Sequence, residues 1–284
     1  MDLLRTYYIN EYRKQPQIES VLFINSQHLD PMHEGFDKLV LIIYRASECK
    51  DAVIYNPQWN ECIKELWITC EQAECSICND EPPHLLYWMM TGEVVFDGKG
   101  FIEKLRHQLQ TYPEQFQLKK LLVEFARFLR SYAQCKHCLE SNQIHDAYHY
   151  IMDAMHRWAR IVILEQGRFP DVNVWKQVKQ FNPGVYKLYE ELAESTETLR
   201  QRIELVLLAS EFSMISRMER CTRFLIELIG SRKEPWSPSE LMEQLKLPAL
   251  SQDLAILLNK MTVHKLVKIV PVDNGYCSTV KYKL

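Results

Sequence analysis

A single carboxylate stands at the start of an otherwise apolar run. Asp37 precedes the six consecutive apolar residues from Leu39 to Tyr44, and a run of that length predicts a β-strand buried on both faces. An aspartate in this place can cap the preceding loop or accept backbone hydrogen bonds where the strand begins. Position alone leaves open whether Asp37 has a structural or a functional role.

A second group of polar residues has helical spacing. His145, His149 and Asp153 recur every four residues, and Arg157 continues the row. Two histidines four apart on one helix face can chelate a metal ion. A guanidinium such as that of Arg157 or Arg160 can form two parallel hydrogen bonds to a phosphate group. The same row also suits the lining of an interdomain cleft or an ordinary polar helix face.

Two cysteine pairs have the spacing of zinc ligands, Cys75 with Cys78 and Cys135 with Cys138. Four thiolates could bind zinc if the fold brought the two pairs together. Neither pair has the Gly or Pro of a typical zinc knuckle, and both lie in sequence that predicts helix. The chain has nine cysteines, and an odd, scattered set favours reduced thiols over a disulfide framework.

The overall composition is that of a globular protein, with 284 residues, 47% of them hydrophobic and 25% charged. There is no apolar run of about 18 residues and no signal-peptide pattern at the N-terminus, so we expect a cytoplasmic protein without membrane contact. The P-loop, α/β-hydrolase and Rossmann motifs are absent. A net charge of −3 indicates no general affinity for nucleic acid.

The elements that would position these residues change along the chain. Up to about residue 112, short apolar segments between polar loops predict strands. They are SVLFINS, the run after Asp37, DAVIYN, ECIKELWIT and GEVVFD. Helical signals lie at the N-terminus and around HLLYWMM. From about residue 112 to 229 the apolar spacing becomes helical and predicts a helical domain.

The last 54 residues carry a distinct signal. Ser237, Pro238 and Glu240 form the signature of a capping box. A second amphipathic helix then leads into two strands around an Asp-Asn-Gly turn. With a preceding helix at about 214–229, this is the order of a winged helix-turn-helix.

This segment is the basic part of the chain, with eight Lys and Arg against five Asp and Glu from Ser231 onward. The basic side chains that follow the second helix and line the hairpin are Lys260, His264, Lys265, Lys268, Lys281 and Lys283. They could neutralise DNA phosphates. The alternative is a winged helix that packs on its own chain or on a protein partner.

The strand SVLFINS, the loop after it and Asp37 together resemble the nucleotidyltransferase fold of polymerase-β-like enzymes and antibiotic nucleotidyltransferases. Those proteins carry Gly-Ser after the first strand, Asp-x-Asp on the second and a third carboxylate on a later strand. With the helical segment DAYHYIMDAMHRWARIVILEQGRFPDVNVWKQV and the terminal helix-turn-helix, nearly the whole chain resembles a bacterial nucleotidyltransferase-like family.

The resemblance implies a set of site residues. Asp37 and Glu65 would be catalytic and hold Mg²⁺ while an acceptor attacks the α-phosphate of a nucleoside triphosphate. Asn25 and Ser26 stand in the place of Gly-Ser, with Ser26 in contact with phosphate. Arg157 is added from its place in the helix row: it would bind phosphate if that face lines the cleft.

The match to the Asp-x-Asp pattern is incomplete. Leu39 or Gly35 stands where the second aspartate belongs, depending on which member Asp37 is. Glu61 is the alternative to Glu65 for the third carboxylate, and both could be solvated charges. Asp97 in VVFDGKG could close a turn or take part in the site.

The sequence therefore predicts an α+β protein in three parts. These are a nucleotidyltransferase-like domain with a mixed sheet (1–112), a helical substrate-binding domain (113–230) and a winged helix-turn-helix (231–284). The predicted function is transfer of a nucleotidyl group from a nucleoside triphosphate with Mg²⁺. The alternative is an inactive nucleotide-binding protein, or a DNA- or protein-binding regulator that acts through residues 231–284.

Overall fold

A computed structural model of the chain forms two compact units, Met1–Pro113 and Glu114–Leu284. It describes residues 2–25, 36–45, 52–56, 61–79, 85–111, 114–168, 170, 173–273 and 278–284. Among the helices in these ranges, none combines the length and apolarity that crossing a membrane requires.

The first unit is built on a mixed sheet. Its strands are β1 (Ile18–Asn25), β2 (Lys38–Tyr44), β3 (Ala52–Asn56), β4 (Glu61–Thr69) and β5 (Glu93–Asp97). They lie in the order β3-β4-β2-β1-β5, with β2 parallel to β4 and the other neighbours antiparallel. The helices described in this unit are α1 (Asp2–Tyr12), α2 (Cys70–Asn79), α3 (Leu85–Thr91) and α4 (Phe101–Thr111). The α+β class and the mixed sheet are confirmed.

The central strand β2 is buried on both faces, as its unbroken apolar sequence predicts. Val40 lies in one core cluster with Tyr8 of α1. Leu39 pairs across the sheet with Ile24, and directly paired residues share a face. The tip of Ile24 occupies the space beside Gly92, at the end of α3. Helices therefore cover both sides of the sheet, and Leu39 is a core residue.

The second unit begins with five helices in the described ranges. They are α5 (Glu114–Glu140), α6 (Ile144–Glu165), α7 (Val174–Phe181), α8 (Pro183–Glu194) and α9 (Leu199–Ile229). α5 packs along α6 and α9, while α7 and α8 pack on each other and on α6. Local signals set the helix starts: Asn182 caps α8 ahead of Pro183, and Thr198 with Gln201 forms a capping box on α9.

The C-terminal elements are part of this second unit. They are α10 (Pro238–Leu245), a 3-10 helix (Pro248–Leu250), α11 (Leu254–Val263), β6 (Lys268–Asp273) and β7 (Ser278–Lys283). The predicted capping box of Ser237 and Glu240 is present at the start of α10. α10 packs on α9, and α11 with the 3-10 helix packs on α5. A separate domain from residue 231 onward stays a prediction.

Candidate functional site

Asp37 lies directly before β2, where it fastens this strand to β4. Its backbone N–H donates to the carbonyl oxygen of Cys62 at 2.9 Å, and its Oδ2 accepts the backbone N–H of Cys62 at 2.7 Å. The side chain is exposed. This is the geometry expected from the structural alternative, in which the aspartate accepts a backbone hydrogen bond where the strand begins.

Glu65 is buried among aromatic side chains in β4, with only 2% of its surface exposed. Its Oε1 accepts the hydroxyl of Tyr8 at 2.8 Å and that of Tyr12 at 3.4 Å. Its Oε2 accepts the indole N–H of Trp67 at 3.1 Å. Burial, and after it the charge of Glu65, raises the pKa of both tyrosines. The carboxylate is therefore solvated by three neutral donors.

These surroundings do not fit a Mg²⁺ site shared by Asp37 and Glu65. Both oxygens of Glu65 are engaged beneath α1, and one oxygen of Asp37 is engaged on Cys62. Leu39, at one of the two positions where a second aspartate would stand, is fully buried. Within the described ranges, no three His, Cys, Asp or Glu side chains are grouped so that they could hold a metal ion.

The remaining predicted residues of this unit lie elsewhere. Asn25 is the last residue of β1 and pairs with Lys38, while Ser26 and Gly35 lie outside the described residues. Asp97 closes the turn into α4: its carboxylate accepts the backbone N–H groups of residues 101 to 103 and the hydroxyl of Ser20. This is the structural role foreseen for Asp97.

A charged cluster lies between α5 and α6 in the second unit. Glu124 has only 1% of its surface exposed, and it receives Arg160 Nε at 2.6 Å and Arg157 Nη1 at 3.4 Å. Asp153 lies 3.4 Å from Arg157 Nε and accepts the hydroxyl of Ser131. Burial lowers the pKa of Arg160 to about 10. The predicted phosphate ligand Arg157 is thus already paired with two acidic side chains.

The other metal candidates are separated in the same way. His145 and His149 are exposed on α6, and Asp153 points to Ser131. Cys135 and Cys138 are buried free thiols in α5. Cys75 is half-buried and forms no disulfide, and the side chain of Cys78 lies outside the described part.

A cleft of about 410 Å³ opens between the end of α6, the junction of α7 and α8, and the middle of α9. Its lining residues are Val162, Glu165, Gln166, Phe181, Asn182, Ser216, Arg217 and Arg220. None stands out in the sequence, because Arg217 and Arg220 lie 52 and 55 positions from Glu165, which they contact. The one available signal was Asn182-Pro183, which marks a helix start at a chain turn.

The comparisons with known proteins follow the division into two units. Residues 1–117 match the family described as Nucleotidyltransferase-like, and residues 118–217 match the YgxA-like substrate binding domain. The chain is 30% identical over 274 residues to the protein YgxA of Bacillus subtilis (strain 168), with 96% of this chain and 92% of that protein covered. The chain belongs to the YgxA family.

A solved structure supports the same relationship. The chain matches a nucleotidyltransferase-like protein from Exiguobacterium sibiricum 255-15 with a TM-score of 0.85 and 27% identity, over 98% of this chain and 97% of that one. In this YgxA-family chain, Asp37 and Glu65 fall in the nucleotidyltransferase-like part. The Glu124 cluster and the cleft up to Arg217 fall in the YgxA-like substrate binding domain. The predicted nucleotidyltransferase-like family is confirmed, whereas the winged helix-turn-helix stays a prediction.

Proposed function

We propose that this protein binds a nucleotide or a related phosphorylated ligand and does not transfer a nucleotidyl group through Asp37 and Glu65. The observation that carries the proposal is the environment of Glu65, whose oxygens accept hydrogen bonds from Tyr8, Tyr12 and Trp67 beneath α1. A carboxylate in these surroundings stabilises the packing of α1 on the sheet.

The chemistry of nucleotidyl transfer supports this interpretation. Metal-dependent transfer needs carboxylates that converge on cations and on a phosphate group at one accessible face. Here the side chain of Asp37 is exposed at the strand start, Glu65 is buried, and Leu39 packs in the core. To reach a metal, Glu65 would have to give up the hydrogen bonds from Tyr8, Tyr12 and Trp67, and a buried donor that loses its acceptor costs about 1–3 kcal/mol.

The second unit is the part of the chain that would bind a ligand without nucleotidyl transfer. The matched family is described as having a substrate binding domain over residues 118–217, and this segment is rich in arginines held by acidic partners. Guanidinium groups recognise phosphate through charge-assisted, often bidentate hydrogen bonds. A nucleotide is therefore the ligand class that best combines the family relationship with the chemistry of this unit.

The test separates transfer from binding. The purified full chain is incubated with α-phosphate-labelled nucleoside triphosphates, Mg²⁺ or Mn²⁺ and cell extract, beside Asp37→Asn and the exposed-carboxylate control Asp146→Asn. We expect no Asp37-dependent label transfer, but measurable nucleotide binding by titration calorimetry in all three proteins. Label transfer that disappears only in Asp37→Asn would overturn the proposal.

A second role is favoured for residues 231–284. We propose that they form a winged helix-turn-helix that stabilises the helical unit and does not read DNA. Trp236 and Tyr282 exchange two backbone hydrogen bonds of 2.8 Å and so join the hairpin to the start of α10. The helix that would enter a DNA groove, α11, packs on α5. Lys260 of α11 lies over the ring of Tyr132.

An ion pair at the start of α11 also attaches the C-terminal segment to α5. Asp253 is buried and pairs with Arg130 of α5 at 3.1 Å, and Arg130 also donates to Gln252. Arg130→Gln should expose the C-terminal segment to limited proteolysis, whereas Arg200→Gln on α9 should not.

In a mobility-shift assay with duplex DNA at about 50 and 200 mM salt, we expect no complex. A low-salt complex abolished by Lys281→Glu would contradict this role.

A further inference from the structure

The cleft at the end of α6 contains more positive than negative charge. Arg217 and Arg220 on α9 both face Glu165, whose side chain is only 5% exposed. Arg217 forms a close ion pair with this carboxylate. Arg220 lies 3.9 Å from it and donates to the backbone carbonyl of Glu165 at 3.1 Å. Because two guanidinium groups share one carboxylate, the lining as a whole has a net charge of +1.

Neutral polar groups surround these arginines. Gln166, Asn182 and Ser216 line the same cleft. The side-chain amides of Gln166 and Asn182 can donate hydrogen bonds, whereas the hydroxyl of Ser216 donates to the backbone carbonyl of Ser213 at 2.7 Å. Asn182 uses its Oδ1 to cap α8, where it accepts the backbone N–H of Val185 at 3.2 Å. The start of this 12-residue helix therefore borders the cleft, and its dipole adds positive potential there.

The lining of the cleft also includes two apolar side chains. Phe181 and Val162 are the apolar side chains of the lining, and the guanidinium of Arg168 lies 5.3 Å from the centre of the Phe181 ring. An aromatic ring beside cationic groups is the usual platform for a nucleobase, because stacking accepts any base. The cleft volume of about 410 Å³ lies within the range of small-molecule sites.

We propose that this cleft is the nucleotide site of the second unit, with the phosphate groups on Arg220 and Arg217 and the base against Phe181. The inference rests on the proposed function and names the place where the ligand binds. Arg220 has the larger role in recognition, because its side chain is 59% exposed. Arg217 holds Glu165 in place and shares its remaining donors.

The choice of variant follows from these contacts. Arg217→Gln would remove the closer of the two ion-pair partners of the buried Glu165, which destabilises the fold whatever the ligand. Arg220→Gln removes an exposed charge and leaves the pair of Arg217 with Glu165 intact. Arg223→Gln is the matched control: Arg223 is the same residue type on the same helix and is 54% exposed, but it pairs with Glu114 and Glu227.

The experiment is a calorimetric titration of the full chain with ADP, ATP and inorganic pyrophosphate. We expect Arg220→Gln to weaken binding of all three by about tenfold or more, the effect of losing a charge-assisted hydrogen bond, and Arg223→Gln to bind as the wild type does. Phe181→Leu should weaken ADP and ATP but not pyrophosphate, because only the nucleotides have a base to stack.

The outcomes separate this inference from the proposed function. If the wild type binds none of the three ligands, the proposed function and this site both fail. If it binds nucleotides and Arg220→Gln is indistinguishable from Arg223→Gln, the site is wrong and the function stands. Equal loss of pyrophosphate and nucleotide binding in Phe181→Leu would overturn the placement of the base.

Discussion

Two buried carboxylates, one in each unit, are stabilised in opposite ways. Glu65 in the sheet unit accepts hydrogen bonds from two phenols and an indole. Glu124 in the helical unit receives two guanidinium groups, those of Arg157 and Arg160. Both side chains are almost fully buried, so the difference lies in their partners and not in their exposure to water.

The two carboxylates differ in whether a partner offsets their charge. The donors around Glu65 are neutral, so they hydrogen-bond to the carboxylate without offsetting its negative charge. In the helical unit, the guanidinium groups of Arg157 and Arg160 neutralise Glu124, and Asp153 is a second acidic partner of Arg157. Removal of each carboxylate should therefore have different consequences, because an unpaired guanidinium costs more in a protein interior than an unpaired hydroxyl.

The largest effect is expected for Glu124→Ala. This change leaves Arg157 and Arg160 without their shared carboxylate, and breaking a buried ion pair costs about 3–5 kcal/mol. Urea unfolding followed by circular dichroism measures the loss. The control is Glu204→Ala, which removes an exposed pair with Arg200 and should cost about 0.5 kcal/mol or less. Equal losses of unfolding free energy in the two variants would show that the buried ion pairs of Glu124 stabilise the fold no more than an exposed pair does.

A smaller loss is expected for Glu65→Leu. The hydroxyl of Tyr8 and the indole N–H of Trp67 would lose their acceptor, at about 1–3 kcal/mol in total. Combining Glu65→Leu with Tyr8→Phe should recover part of this loss, because one orphaned donor is then removed. The same urea titration checks it. A Glu65→Leu protein of unchanged stability would show that α1 does not depend on the carboxylate.

The tyrosines around Glu65 predict alkaline destabilisation of the sheet unit. Burial, followed by the charge of Glu65, raises the pKa of Tyr8 and Tyr12 above the ordinary value of 10.0. The unfolded chain therefore releases these protons first, and stability falls as the pH rises above about 10. A pH titration that records tyrosinate absorbance at 295 nm together with circular dichroism measures ionisation and unfolding in the same sample. Tyr8→Phe should weaken the pH dependence, whereas Tyr186→Phe in the second unit should not.

The smallest effect concerns an exposed carboxylate. A hydrogen bond from the backbone of Ser237, and then one from the side chain of Arg232, lowers the pKa of Glu240 from 4.5 to about 2. Its contribution is present above pH 4.5 and is lost as the pH falls towards 2. The difference in Tm between the wild type and Glu240→Gln should therefore shrink over this range. If the Tm difference does not change with pH, the charge of Glu240 is not its cause.

The sequence predicted most local features and few long-range ones. The apolar run after Asp37 identified a buried strand, and Ser237 with Glu240 identified a helix start, because both signals lie within a few residues. The partners of Glu65 were not predictable in this way. Tyr8 lies 57 positions away, and nothing in the strand ECIKELWIT shows that a helix from the N-terminus covers that face.

The role of Asp37 illustrates the same limit. Its position at a strand start suited both a backbone hydrogen bond and a metal ligand, and only the proximity of Cys62, 25 positions away, favours the first. The spacing of Arg157 placed it in a row of polar residues on one helix, but its partner Glu124 lies on another helix. Side-chain pairing across elements depends on packing, which no spacing rule contains.

The buried thiols of the helical unit can be used to measure how often its helices separate. Cys135 and Cys221 are free and inaccessible, and burial raises the pKa of each to about 12. A thiol must reach solvent and ionise before it reacts with an alkylating reagent. The rate at which these two cysteines become labelled under native conditions therefore reports how often α5 and α9 separate from their neighbours.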